Sequence, residues 1–293
     1  MQVPAQFEYQ RATGVDHAVA LLSRHGAEAR VVAGGHSLIP MMKLRLAQPE
    51  VLVDINGLHE LTGIRVESSR ENGRWLRIGA MTRHAELLES ELAGEHFEVL
   101  HEAERVIADP LVRNRGTVGG SVCQADPSED LSAVFTALRA IAVIRGGDGD
   151  RTVPMREFFV GPYQTAVGPA EVLVELRVPV RPGCGSAHLK VDRRAGDWAV
   201  ASVACTVWLD GDDVAEVGIG LTAVGAPNFS APEAEDHLRG RPATSEAIVE
   251  AGRIAAAHCR PVADQRGPAD YKLHLASELT VRALHRAVDR ARG

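Results

Sequence analysis

The chain has 293 residues, a formal net charge of −7 and 24% charged residues. This composition is typical of globular proteins, and the absence of a basic block disfavours nucleic acid as a partner. The apolar runs are short and interrupted, which disfavours a membrane span, and the first residues lack the basic-then-apolar order of a signal peptide. We therefore expect a cytoplasmic protein with one large domain or two smaller ones.

The four cysteines, Cys123, Cys184, Cys205 and Cys259, are widely separated along the chain. No pair has the CxxC spacing of zinc or iron–sulfur sites, so this chain is not expected to ligate a metal. Free buried thiols are expected rather than disulfides. If the protein handles electrons, it needs an organic cofactor or metal centres on a partner.

Predicted helices and strands alternate in the first part of the chain. Apolar residues at helical spacing, followed by a glycine, predict a helix over about 16–25. Short apolar runs predict strands over 51–55 and 76–79. A further helix is expected over about 97–108, where the following proline ends it.

Another helix is expected to begin at Asp126, with Asp126 as the N-cap, Pro127 at N1 and Glu129 at N3. Apolar residues then follow at helical spacing over 131–138. Asp126 is therefore interpreted as a cap rather than a catalytic acid. A β-hairpin is expected next, across the turn 146–149.

The sequence pattern changes near Val178, which predicts a boundary between domains covering 1–178 and 179–293. The first domain is expected to contain subdomains of about 1–57 and 58–178. A strand over 172–178 precedes the boundary, with Glu175 and Arg177 expected to face solvent. A glycine-rich linker over 182–185 is expected to follow it.

The C-terminal part is expected to contain one hairpin and two helices. The hairpin pairs 205–209 with 214–221, and the helices cover about 245–258 and 269–290. The last helix has a predicted inner face formed by Tyr271, Leu275, Leu279 and Ala283.

Two glycine pairs are the strongest functional signal. One lies in 33–38, directly behind an apolar run, and the other lies in 116–121. Glycine pairs allow backbone N–H groups to converge on an anion, so two such loops predict a ligand with a long anionic middle, such as a dinucleotide. Neither loop matches GxGxxG or a P-loop, and Pro40 disfavours the long crossover helix of a Rossmann unit.

Several residues near these loops keep two interpretations. His36 could lie against a flavin or phosphate, or be a polar loop residue bonded to the backbone. Lys43 and Arg45 could contact phosphate or form a solvated basic face. Trp198, beside a glycine, could stack on a ligand or pack in the core.

Five segments together resemble one family. The segment 33–43 is similar to the first FAD loop of the medium, flavoprotein subunits of molybdenum hydroxylases, and 108–121 is similar to their second loop. The segments 52–55, 78–82 and 194–199 fit the same family pattern in the same order. The family includes aerobic carbon monoxide dehydrogenase and xanthine dehydrogenase, and the first loop most resembles the carbon monoxide dehydrogenase branch.

This resemblance implies an α+β (mixed α/β) fold, with a PCMH-type FAD-binding domain of two subdomains followed by a smaller C-terminal α+β domain. Non-covalent FAD would lie in the cleft, with its pyrophosphate held by backbone N–H groups of both loops. Asp130 would lie near the adenosine ribose, and Trp198 near the isoalloxazine, where the family often has tyrosine or isoleucine. The binding residues implied by position are Ala33, Gly34, Gly35, His36, Ser37, Leu38, Thr117, Val118, Gly119, Gly120, Ser121, Asp130, Lys190 and Trp198.

The resemblance also implies a role in electron transfer, with the chemistry carried by the flavin and no catalytic side chain. The partners would be a large subunit with a molybdenum cofactor and a small subunit with [2Fe-2S] clusters, in a dimer of heterotrimers. The substrate and the final acceptor (NAD, oxygen or quinone) stay open. Two alternatives are a self-contained oxidase of the vanillyl-alcohol-oxidase type, with FAD covalently attached at His36, and a binding module that has lost FAD.

Overall fold

The computed structural model describes residues 3–69 and 73–293. Its first unit is a parallel three-stranded sheet in the order β1–β3–β2, formed by β1 Glu8–Arg11, β2 Ala29–Val32 and β3 Val51–Asp54. Helix α1, Val15–His25, buries Ala18 and Leu22 in the core of this unit. The short helix α2, Leu38–Lys43, follows the first glycine loop.

The second unit is a five-stranded antiparallel sheet in the order β4–β5–β10–β6–β7. The strands of this sheet are β4 Ile64–Ser69, β5 Gly73–Gly79, β6 Ile141–Gly146, β7 Gly149–Pro154 and β10 Val172–Pro179. A separate two-stranded hairpin is formed by β8 Phe159–Gly161 and β9 Gln164–Thr165. The helices of this unit are α3 His84–Glu89, α4 Glu91–His96, α5 Glu98–Val106, α6 Pro110–Arg113, α7 Val118–Gln124, α8 Asp130–Ala137 and α9 Met155–Phe158. Phe97 and Phe135 lie fully inside its core.

The third unit is an antiparallel sheet in the order β11–β12–β13. Its strands are β11 Cys184–Val191, β12 Ala201–Asp210 and β13 Asp213–Thr222, and its helices are α10 Pro232–Leu238, α11 Ser245–His258 and α12 Ala269–Ala291. No helix among the described residues is long and apolar enough to cross a membrane.

The second and third units pack backbone to backbone through glycines. A Cβ at Gly220 of β13 would lie 2.0 Å from the carbonyl oxygen of Ala133 in α8. Within the third unit, a Cβ at Gly185 of β11 would lie 1.9 Å from the carbonyl oxygen of Ala287 in α12. Since any side chain would overlap these atoms, glycine permits both close approaches.

The mixed helix and strand content and both predicted hairpins are confirmed, but several details are corrected. Helix α8 begins at Asp130, and Glu129 is its N-cap, accepting hydrogen bonds from the N–H groups of Leu131 and Ser132 at 2.8 and 2.7 Å. Asp126 instead closes a turn by accepting from Ser128 N–H at 2.9 Å. Glu129, three residues nearer the helix, thus takes the place of the predicted cap.

Three further predictions differ from the structure. Glu175 is buried, because Arg65, Arg77 and Arg177 surround its carboxylate. The predicted linker 182–185 overlaps β11, which begins at Cys184. Gly185 belongs to this strand and lies directly against the backbone of α12. Tyr271 is exposed, unlike the other residues of the predicted inner face of α12.

Candidate functional site

A single large cleft brings the two glycine loops together with residues of the third unit. Its volume is about 920 Å³, at the upper end of the range of ligand sites. Of the residues implied by the resemblance, only Val118 does not line it, since this side chain lies in the core. The predicted residues that line it are Ala33, Gly34, Gly35, His36, Ser37, Leu38, Thr117, Gly119, Gly120, Ser121, Asp130, Lys190 and Trp198.

The first glycine loop leaves a run of backbone donors free. Among the described residues, the N–H groups of Gly34, Gly35, His36, Ser37 and Leu38 make no hydrogen bond to the protein. These residues also line the cleft. Gly35 has a φ of +78°, a left-handed conformation that turns the chain sharply. Five consecutive free donors lining a cleft are suited to an anion.

His36 is placed by its own loop. Its Nδ1 lies 3.0 Å from the carbonyl oxygen of Gly34, so the imidazole bonds to the backbone while also lining the cleft. Lys43 and Arg45 do not line the cleft. Arg45 instead donates from Nε to the carbonyl oxygen of Val3 at 3.0 Å. The first loop therefore contributes mainly backbone groups to the site.

The second glycine loop uses its N–H groups inside the protein. Gly119 N–H donates to the Ala80 carbonyl oxygen at 2.8 Å, and Val118 N–H donates to Thr82 at 2.9 Å. Gly120 N–H donates to Oγ1 of Thr117, the N-cap of α7, at 3.1 Å. The N–H groups of Val118 to Ser121 therefore already have acceptors, whereas among the described residues the N–H group of Thr117 makes no hydrogen bond to the protein. The expectation that the second loop offers backbone N–H groups thus stays a prediction for Thr117, and Ser121 of this loop also lines the cleft.

The two loops touch each other at Gly34. A Cβ there would lie 2.3 Å from the carbonyl oxygen of Arg115 and 2.8 Å from Cα of Gly116. Arg83 spans the same junction, donating to the Arg115 carbonyl oxygen and to Asn56 Oδ1. A glycine at position 34 is therefore required for the two loops to meet.

Asp130 and Lys190 form a buried ion pair in the cleft. Asp130 Oδ2 lies 2.7 Å from Lys190 Nζ, and Oδ1 accepts from Ser202 Oγ at 2.7 Å. Burial opposes ionisation, but the hydrogen bond and charge of His188 and the charge of Lys190 hold the pKa of Asp130 below its ordinary value. The carboxylate is therefore charged, and it links α8 to β11 and β12.

Trp198 projects into the cleft instead of packing in the core. It is 45% exposed and follows Gly196, whose φ is +77°. A Cβ at Gly196 would lie 2.6 Å from the carbonyl oxygen of Ala108, so the loop lies directly against the segment after α5. The core-packing interpretation of Trp198 is wrong, and the stacking interpretation stays open to test.

The cleft is also lined by residues with reactive or ionisable side chains that were not predicted as site residues, among them His84, Glu129 and Tyr163. Burial raises the pKa of the Glu129 carboxyl to about 7. Tyr163 holds the β8–β9 hairpin to α7, since its N–H donates to the Ala125 carbonyl oxygen at 2.9 Å. His84 lies two residues after the segment 78–82, which resembles the family pattern. That proximity was the one feature of the sequence that could have indicated His84 as a site residue.

Two family descriptions match this sequence. A family described as the FAD-binding domain in molybdopterin dehydrogenase matches residues 5–181. A second, described as the CO dehydrogenase flavoprotein C-terminal domain, matches residues 186–287. Together they cover almost the entire chain.

Curated relatives match over their full length. The carbon monoxide dehydrogenase medium chain of Hydrogenophaga pseudoflava is 43% identical over 97% of this chain and 98% of its own length. The glyceraldehyde dehydrogenase medium chain of Sulfolobus acidocaldarius is 34% identical over 96% of this chain and 98% of its own. These relatives share a subunit type while their names give different substrates.

Solved structures have the same fold. A carbon monoxide dehydrogenase structure from Hydrogenophaga pseudoflava superposes with a TM-score of 0.93 at 45% identity, covering 98% of this chain and 99% of the other. Quinoline 2-oxidoreductase from Pseudomonas putida 86 gives a TM-score of 0.89 at 29% identity, covering 99% and 100%. The similarity therefore extends over both matched regions.

Proposed function

This chain belongs to the family of FAD-binding medium subunits of molybdenum hydroxylases, and we propose that it passes electrons from iron–sulfur clusters on a partner subunit to an external acceptor. FAD is its cofactor, and the relatives are components of oxidoreductases. When bound, FAD supplies the redox chemistry that joins one-electron clusters to a two-electron acceptor.

The observation that carries this proposal is the row of free donors in the first loop. Gly34 to Leu38, whose five N–H groups make no hydrogen bond to the described part of the protein, line the same cleft as Trp198. The donors suit the pyrophosphate of FAD, and the ring offers a flat apolar surface for its isoalloxazine. The residues present therefore fit a flavin dinucleotide.

The other cleft residues act as a fixed frame. Gly34 and Gly116 keep the two loops together, while Asp130 and Lys190 hold the third unit against α8. Because both oxygens of Asp130 already have protein partners, a contact to the adenosine ribose would share them. We place Ala33, Thr117, Gly119 and Gly120 around the same ligand through close backbone approach.

The proposal includes the assembly. A large subunit with the molybdenum cofactor would oxidise the substrate, and a small subunit with [2Fe-2S] clusters would deliver the electrons. A dimer of such heterotrimers in the cytoplasm, and a boundary between this chain's domains at 178/179, belong to the same proposal. Substrate choice would lie on the large subunit, in keeping with the different substrates in the relatives' names.

A first experiment tests cofactor binding. The purified chain is mixed with equimolar FAD, desalted, and acid-precipitated while its flavin absorption is followed. Flavin that is retained on desalting and then leaves with the acid supernatant supports the proposal. Flavin in the acid pellet supports covalent attachment at His36, and a complex purified without any flavin supports a module that has lost FAD.

A second experiment tests electron transfer. The co-purified complex is reduced with dithionite and mixed with NAD, oxygen or a quinone, while reoxidation of the clusters is followed. Removal of FAD should abolish rapid reoxidation by the effective acceptor, and adding FAD back should restore it. Clusters that reoxidise equally fast without FAD would contradict the proposed role.

A further inference from the structure

Three side chains from three helices form a hydrogen-bonded series that ends in the cleft. Glu104 Oε1 of α5 lies 2.9 Å from His84 Nδ1 of α3, and His84 Nε2 lies 2.9 Å from Ser121 Oγ of α7. Glu104 is 0% exposed and His84 is 2% exposed. Ser121 lines the cleft beside the second glycine loop.

The imidazole of His84 has no room to leave this series. A Cβ at Gly116 would lie 2.8 Å from His84 Cδ2, so the ring is packed against the backbone of the second loop. His84 also begins α3, and its N–H donates to the Gly116 carbonyl oxygen at 3.2 Å. The ring therefore holds one orientation between Glu104 and Ser121.

The charged groups facing His84 come from several elements. Burial and the charge of Arg113 oppose protonation, but the charge and hydrogen bond of Glu104 and the charge of Glu129 hold the pKa of His84 above its ordinary value. Burial also holds the pKa of Glu104 above its ordinary value, although the charge and hydrogen bond of His84 oppose that rise. His84 is therefore protonated at a pH where a solvated histidine has become neutral.

The protonation state of His84 decides which way the Ser121 hydroxyl can bond. A protonated imidazole donates from both ring nitrogens, so Ser121 Oγ accepts from Nε2 and its own O–H is free to donate into the cleft. A neutral imidazole that donates from Nδ1 to Glu104 must accept at Nε2, so the Ser121 O–H points back to the ring.

We infer that the Glu104–His84 pair positions the Ser121 hydroxyl as a hydrogen-bond donor to a phosphate oxygen of bound FAD. This inference rests on the proposed function and adds a second, side-chain donor opposite the backbone donors of the first loop. His84 and Glu104 are positioning residues, since they act through Ser121.

The inference predicts a pH dependence of FAD affinity with a definite sign. Because the pKa of His84 is raised, the donor form is complete below about pH 6.5 and is lost as the pH rises through that higher value. FAD binding should therefore weaken as the pH rises above about 6.5, by about tenfold if one hydrogen bond to a charged group is lost. The pyrophosphate keeps its charge across this range.

The test is a titration of the apo chain with FAD at several pH values, with wild type, S121A and S121T compared. S121A should bind FAD about tenfold more weakly than wild type near pH 6, and the difference should shrink as the pH rises. S121T keeps the hydroxyl and should restore the pH dependence. Ser23→Ala, on the exposed face of α1, is the matched control and should behave as wild type.

Further comparisons test whether His84, and not another group, causes the pH dependence of FAD binding. Glu129 also titrates near pH 7, so the comparison of Ser121 with S121A is repeated in an E129Q background, where the difference should persist. E104Q removes the charge that favours protonated His84 and should move the loss of affinity to lower pH. Riboflavin, which has no phosphate, should bind wild type and S121A equally.

The outcomes distinguish this inference from the proposed function. If wild type binds FAD with a dissociation constant that does not change with pH, or if S121A keeps the full pH dependence, the inference is wrong while the flavoprotein assignment stands. If neither the chain nor its complex binds FAD, the proposed function itself fails.

Discussion

The carboxylate of Asp130 lies 2.7 Å from the ammonium group of Lys190, and both groups are buried. Asp130 is the first residue of α8, and Lys190 lies near the end of β11. The two matched regions of the chain are thus joined by an ion pair at the cleft itself. The position of the cleft walls therefore depends on a polar contact whose loss can be measured.

Removal of one partner of this pair should be strongly destabilising. We expect Asp130→Asn to lower the free energy of unfolding by about 3–5 kcal/mol, because it leaves the Lys190 ammonium buried without a carboxylate. Urea denaturation of the apo chain measures this loss. Glu250→Gln, which removes an exposed ion pair with Arg253, should leave the denaturation midpoint nearly unchanged. Equal losses of unfolding free energy in the two variants would show that the buried pair stabilises the fold no more than an exposed ion pair does.

Glu129 should make stability depend on pH. Its pKa is about 7 in the folded chain and about 4.3 in an unfolded one, so the folded state holds the proton more tightly. Its contribution to stability is therefore present below about pH 4 and is lost as the pH rises to about 7. E129Q cannot ionise, so relative to wild type its unfolding free energy should rise by up to about 3 kcal/mol between about pH 4 and about pH 8.

The measurement is urea denaturation of wild type and E129Q at about pH 4 and about pH 8. The quantity to compare is the difference in unfolding free energy between the two proteins at each pH. This comparison removes the constant cost of the altered N-cap. A difference that does not change with pH would show that the pKa of Glu129 is the same in the folded and the unfolded chain.

The contact between α8 and β13 should tolerate no side chain at Gly220. Gly220→Val places a Cβ 2.0 Å from the carbonyl oxygen of Ala133, so we expect the free energy of unfolding to fall by about 3 kcal/mol, the upper end of the usual cost of overpacking. Thermal denaturation and limited proteolysis check this expectation. Gly147→Ala is the matched control, because no atom lies within 4 Å of the added Cβ. Similar melting temperatures for the two variants would contradict the close packing.

Trp198 should affect flavin binding more than folding, because its ring is 45% exposed in the cleft. We expect Trp198→Ala to weaken FAD binding by up to about tenfold through loss of ring stacking. The fluorescence of bound FAD should also increase, and Trp198→Phe should retain most of the affinity. Unchanged affinity and fluorescence in Trp198→Ala would mean that the flavin does not lie against this ring.

Much of the local structure could be predicted from the sequence because its causes are local. Helical spacing located α1, α11 and α12, and the glycine-containing turns located both hairpins. The family-like segments indicated the cofactor, since the loops that surround it are contiguous in sequence. Even the predicted cap of α8 was close, and it was wrong only because a neighbouring carboxylate lies better placed for the first N–H groups.

Tertiary structure alone decided which of these residues meet. Asp130 and Lys190 are separated by 60 positions, His84 and Ser121 by 37, and Arg77 and Glu175 by 98. The sequence by itself determined the elements, the two glycine loops and the class of ligand, because backbone conformation and apolar periodicity depend on near neighbours. Burial of the carboxylates, the contact of Ser121 with His84 and the acceptors of the Val118 and Gly119 N–H groups depend on how distant elements pack, and no local pattern records that packing.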